Sequence, residues 1–119
     1  MESLEQLSLV READAVERVV DDAMTIRSYF SAEQSTAVDL VAAELDGLHS
    51  LRVNRRSTKL YYVERGTLDI TIDGRKYTAD AGSTILVRVD EEHEMVGHAA
   101  RVLIICSPAF DPADEEILA

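Results

Sequence analysis

Cysteine, proline and glycine are scarce in this chain: one, two and five among 119 residues. A single cysteine, Cys106, excludes an internal disulfide and suits a reducing compartment. There is no Pro/Gly/Ser-rich linker, internal repeat or low-complexity tract, so residues 1–119 read as one domain, large enough to bury a core without staples. No apolar run approaches the roughly 20 residues that a membrane helix needs. The opening Met1-Glu2-Ser3-Leu4-Glu5-Gln6 lacks the basic start and apolar centre of a signal peptide, so a cytoplasmic protein is expected. Positive charge is also in short supply. Twelve Lys and Arg stand against 23 Asp and Glu, a net charge of -11, which argues against nucleic acid and against anionic membranes.

What the chain does have is short strands. Apolar positions 15, 16, 19 and 20 within 11–22 fit a short helical face, but from Met24 the texture turns to β. Apolar-rich segments at 24–31 and 37–45 flank a polar run, and strands are expected around 48–55 and 59–65. Thr67–Ile72 alternates strictly and meets Asp73-Gly74, the preferred type I′ hairpin turn, before a return strand at 75–79. Further strands fall at 83–89, 93–97 and 101–106, the last of them an almost continuous apolar run. Asp111-Pro112 starts a short C-terminal helical turn, and the acids of 111–116 are a solvated face or helix-start charges. About nine short strands with turns between them point to an antiparallel sandwich or barrel. Periodicity alone leaves jelly roll, lipocalin and immunoglobulin-like sandwich open.

From about Gly47 to Glu116 the sequence resembles a small single-domain cupin with a degenerate metal-binding motif, its motif-bearing core at about 47–110. The first cupin motif, with a four-residue spacer, reads His-x-His-x4-Glu-x6-Gly. Gly66 matches its closing glycine, Lys59 stands at the glutamate, and Arg52 and Asn54 stand at the two histidines. Lys59-Leu60-Tyr61-Tyr62-Val63-Glu64-Arg65-Gly66 resembles the aromatic strand that ends this motif. The second motif, Gly-x5-Pro-x-Gly-x2-His, is matched by Gly82 and His93, with Arg88 and Asp90 replacing its Pro and Gly. A three-residue spacer instead puts Val53 and Arg55 at the histidine positions, with Gly47 leading, and both registers stand. The resemblance implies an all-β cupin-type antiparallel jelly-roll barrel, with a short N-terminal helix and a short C-terminal helical turn added from the pattern.

Most cupins hold Fe, Mn, Zn or Ni with the four motif residues, and this chain keeps only His93. Arginine and lysine carry positive charge and offer no lone pair, so no metal and no other cofactor is expected. On a regular strand His49 points away from Arg52 and Asn54, and His98 is out of phase with His93, although a bulge would overturn either inference. Fixed cations stand where relatives hold a metal cation. They need an anionic partner, either a ligand or a protein carboxylate such as Glu44, Glu64 or Glu94. His93 is a candidate acid or base, its charged form favoured by Asp90, Glu91, Glu92 and Glu94 and opposed by Arg52 and Lys59. Lys59, among cations in an apolar cavity, is a candidate amine of lowered pKa. Tyr61 shares the inner face and either orients a ligand or packs in the core, while Cys106 reads as core packing.

The reading is a homodimeric, metal-independent cupin acting on a small anionic metabolite by isomerase, cyclase or lyase chemistry. His93 and Lys59 would be catalytic, and Arg52, Asn54 and Tyr61 would bind substrate. The alternatives are a non-catalytic ligand-binding cupin and a divergent metal enzyme recruiting His49 or His98.

Overall fold

Three long strands run through both faces of this molecule, and their corners decide where the inward side chains fall. The computed structural model describes residues 8–119. Its strands are β1 (Val16–Val19), β2 (Met24–Phe30), β3 (Asp39–Asn54), β4 (Thr58–Ile72), β5 (Arg75–Asp80), β6 (Thr84–Val87), β7 (His93–Ser107) and β8 (Glu115–Ile117). They pair antiparallel in the order β1-β2-β3-β7-β4-β5, with β6 added on β4 and β8 on β3. This is the expected all-β cupin-type barrel. Among the described residues no helix is long and apolar enough to cross a membrane.

Segments that read as six short strands are three long ones. The breaks between them are bulges at Gly47 (φ 111°), Gly66 (φ 74°) and Ala99 (φ 46°), where the β3–β7 and β4–β7 registers shift. An inserted residue reverses which face the following side chains take. Thus β4 buries Lys59, Tyr61 and Val63 before its corner and Leu68, Ile70 and Ile72 after it. Only glycine fits at 66, since a Cβ there would lie 2.3 Å from the carbonyl oxygen of Ala99.

Bent at these corners, the continuous sheet folds over on itself. One half holds β2 and β6 with the outer portions of β3, β4 and β7; the other holds β5 and β8 with the remaining portions. Leu45, Tyr61, Val63, Leu68, Ile70, Met95 and Val102 fill the space between them. Asp73 (φ 47°) and Gly74 (φ 81°) make the expected I′ turn between β4 and β5.

The two ends differ from expectation in different degrees. Over 11–22 the helix is a single 3₁₀ turn, Glu12–Asp14, and the valines read as a helical face form edge strand β1, exposed and paired with β2. Two valines three residues apart satisfy a helical spacing, but β-branched side chains favour an extended edge. At the C-terminal side Asp111 caps the 3₁₀ turn Pro112–Asp114 as expected, its carboxylate accepting from the Ala113 amide at 2.9 Å. The acids that follow are not all solvated, because the chain continues into β8.

Candidate functional site

One end of the barrel interior is lined by charged and polar side chains from both sheet halves. Strand β3 contributes His49, Arg52 and Asn54, β7 contributes His93, and β4 contributes Lys59 and Tyr61; every one is buried. Arg52 stands opposite His93 in the β3–β7 ladder. Arg55 is half exposed and pairs outward with Asp90 and Glu116, so the register with Arg52 and Asn54 is the one that faces the interior. Between His49 and Arg52 the ladder slips by one residue. That bulge corrects the regular-strand expectation for His49, which points inward with Arg52. His98 does lie outside, exposed and 2.8 Å from Asp69.

The anion that neutralises the two cations is Glu115 on β8. Its Oε1 accepts from Arg52 Nη1 at 3.2 Å and its Oε2 from Lys59 Nζ at 2.5 Å. All three side chains are less than a tenth exposed. Arg52 also donates through Nε to the Ser50 carbonyl at 2.9 Å, and the Lys59 ammonium lies 5.3 Å from the centre of the Phe110 ring. Phe110 is positioned by the buried Asp39, whose carboxylate accepts from the amides of Cys106 and Phe110. The anticipated partners lie elsewhere. Glu44 and Glu64 both bind Arg101, at 2.8 and 3.0 Å, in an exposed network.

Burial disfavours the charge on Lys59, but Tyr61 and the Glu115 carboxylate outweigh it, and the pKa is raised. This corrects the low-pKa amine: Lys59 is a fixed ammonium. Burial likewise opposes the charge on Glu115, and Lys59 and Arg52 overcome it to leave the pKa lowered. Both shifts favour the charged forms, an ammonium paired with a carboxylate.

His93 is fully buried, and its pKa is pushed down to about 4, first by burial and further by Lys59 and Arg52. The acidic run around it does not protonate it, because what touches its ring is the Glu91 backbone carbonyl, 3.1 Å from Nδ1. With Nδ1–H donating there, Nε2 is an unprotonated lone pair; among the described residues it has no hydrogen-bond partner. His49 forms a second imidazole centre. Its Nδ1 lies 2.6 Å from Asp21, a carboxylate that also accepts from the amides of Ala23 and Met24. Burial and then Arg52 lower the His49 pKa, against the raising effect of Asp21.

Asn54 accepts the Arg56 and Ser57 amides through Oδ1, while its buried Nδ2 has no partner. Tyr61 belongs to the core cluster, and burial raises its pKa to about 12, so the phenol stays neutral. Burial also raises Cys106 to about 12, leaving an unreactive thiol. The sequence reading missed Glu115, Asp21 and Asp39. Of these, Asp21 carried a faint local signal, a carboxylate just before the amides of Ala23 and Met24.

The sequence matches the AraC-like ligand binding domain over residues 37–103, more than half of the chain and both strands of the first motif. The chain belongs to that family. No curated protein sequence matches this AraC-like domain. Solved structures that share its fold include the Streptomyces nucleoside dehydratase Pac13, 18% identical with a TM-score of 0.85, covering 95% of this chain and 92% of Pac13. KdgF from Halomonas sp. is 16% identical, with a TM-score of 0.79 over 89% of this chain and 99% of that one. Ectoine synthase from P. lautus is 12% identical, with a TM-score of 0.77 over 95% and 91%. At these identities the likeness is one of fold, and the fold is the cupin barrel.

The side chains of the AraC-like domain do not fit the metal that many cupins hold at this position. Arg52 and Lys59 have no lone pair to give, and both oxygens of Glu115 are engaged by those cations. Among the described residues no three His, Cys, Asp or Glu side chains converge as metal ligands. Each residue lining this end of the barrel is less than a tenth exposed. Two surface clefts of about 330 and 270 Å3 lie elsewhere, one along β5 and β6 around Tyr77 and Arg88, the other around Phe30 and Ile105.

Proposed function

We propose that this AraC-like domain is a metal-independent cupin that takes a small anionic metabolite at the Arg52–Lys59 end of its barrel and moves a proton on it. The observation that carries this reading is the pairing of opposite chemistries at one end of the barrel interior. Two imidazoles with depressed pKa values, His49 and His93, stand beside two permanent cations. A neutral imidazole is a base, and neighbouring cations stabilise the negative charge that appears when it removes a proton. The Asp21–His49 pair has the form of an oriented base, its carboxylate fixing the tautomer. That chemistry suits elimination, isomerisation or cyclisation, and a nucleoside dehydratase with the same fold supports the first of these.

The test is a panel of carboxylates, sugar acids and nucleosides, scored by thermal shift and then by deuterium wash-in at an acidic C–H position. Wild type is expected to exchange one proton of a bound panel member, and His93→Gln and His49→Gln to lower that rate at least about tenfold while still binding. Binding with no exchange at all supports the second reading, a sensor or carrier, which the family's ligand-binding character favours. One equivalent of Fe, Mn, Ni or Zn retained through dialysis would overturn the metal-independent reading.

We also propose that the chain forms a homodimer through an outer sheet face. Leu86, Leu60, Ile105 and Leu40 sit side by side across β6, β4, β7 and β3, with Tyr62 beside them. Leu60, Tyr62, Leu86 and Ile105 are each more than a third exposed. In a chain of net charge -11 this row carries no charge, so it is where two copies meet with least repulsion.

A further inference from the structure

Resting on the ligand reading above, we propose that Glu115 holds the place of a ligand carboxylate and that β8 is a removable stopper over the site. The Glu115 carboxylate is bound as a ligand would be, one oxygen to a cation of each sheet half. The surroundings offer more than this one ion pair uses. Asn54 Nδ2 and His93 Nε2 are both buried without a partner among the described residues, and Asn54 stands opposite Glu115 in the β3–β8 ladder. A structural ion pair needs neither atom. A ligand carrying a carboxylate and a second polar group would use both, a donor and an acceptor. The orphan imidazole nitrogen, on a side chain with no exposed surface, is an observation independent of the ion pair.

The strand that carries Glu115 is weakly held. It has three residues and, among the described residues, pairs with β3 alone. Glu116 is outward and Ile117 is 64% exposed, so its departure gives up little apolar burial. Its flanking backbone ties are the bonds from the Arg55 amide to the Asp114 carbonyl and from the Leu118 amide to the Leu51 carbonyl, each 2.8 Å. Charge then makes the movement an exchange rather than an opening. Two buried cations share one carboxylate, and removing it without a replacement leaves both unpaired. A tethered carboxylate competes with free ligand at an effective concentration in the millimolar range, which sets a threshold for occupancy.

The experiment compares wild type with Glu115→Ala, using acetate and inorganic phosphate as probes. Acetate is expected to raise the unfolding temperature of Glu115→Ala saturably and to bind it at least about tenfold more tightly than wild type. Arg52→Met/Glu115→Ala is expected to lose that response. In wild type at saturating acetate, hydrogen exchange at the Arg55 and Leu118 amides should accelerate about tenfold. Should Glu115→Ala not fold, Glu115→Gln keeps the shape, and its Leu118 amide should exchange faster than wild type without any ligand. Rescue by phosphate but not acetate overturns the carboxylate assignment, and rescue by neither overturns the proposal. If a panel metabolite binds wild type while the β8 amides stay protected, the stopper fails and the proposed function survives.

Discussion

His93 presents the sharpest linkage between a single residue and stability. Its pKa is about 4 in the fold against about 6.5 in an unfolded chain, so the fold prefers the neutral ring. Above pH 6.5 both states are neutral and the group has no pH-dependent effect. Between 6.5 and 4 the unfolded chain takes up the proton first, and stability falls as pH falls. At pH 4 the loss approaches about 3 kcal/mol. Glu115, with its pKa lowered, adds to the same acid lability: its stabilisation is present above the unfolded carboxylate value of about 4.5 and fades below it. Urea unfolding at pH 7, 5.5 and 4.5 should therefore show a steeper decline for wild type than for His93→Gln; parallel lines would refute the assignment. Removing one member of the triad is a different matter. Glu115→Ala should cost about 3–5 kcal/mol, whereas replacing Arg52, Lys59 and Glu115 together by apolar residues should lie nearer wild type. If the triple replacement is the less stable, the triad is a net stabiliser rather than a constraint.

Strand corners explain what the sequence could and could not reveal at the scale of the element. Alternation is strict within 67–72, and the Asp73-Gly74 turn is unmistakable, so the β4–β5 hairpin was legible to within one residue, the return strand ending at Asp80 rather than Ala79. The bulge between His49 and Arg52 leaves no comparable mark. Nothing in Leu48-His49-Ser50-Leu51-Arg52 announces the extra residue that turns His49 inward, because its cause lies in the pairing with β7. β8 was hidden for another reason. Three residues are too few to display a period, and Asp114-Glu115-Glu116 looks uniformly solvated although Glu115 turns into the barrel and only Glu116 is exposed. The cations were legible because the motif frame fixed their positions, but their partner came from 56 and 63 residues away. The corner itself is testable. Gly66→Ala places a Cβ against Ala99 and forces a left-handed residue, and should destabilise by about 1–3 kcal/mol in urea titration. An unchanged midpoint would mean that the corner yields.

Across the whole molecule, the proposed dimer and the charge balance meet. The apolar row on β6, β4, β7 and β3 lies on the outer face, opposite the interior that carries Lys59 and Tyr61. Leu60→Lys and Ile105→Lys point away from the core and should leave the fold intact. Sedimentation should show wild type as a dimer and the double variant as a monomer at the same concentration. A monomeric wild type would dismiss the interface outright. Both sheet halves share β3, β4 and β7, so they do not slide past one another independently.

The Glu115 bridge between those halves has a further consequence for how the barrel is completed. A metal centre holds several negative groups around one positive ion drawn from solution. Here one negative group draws together two positive ones, and that group arrives with the polypeptide itself. The pairing of Arg52 and Lys59 with Glu115 is then one per chain by synthesis.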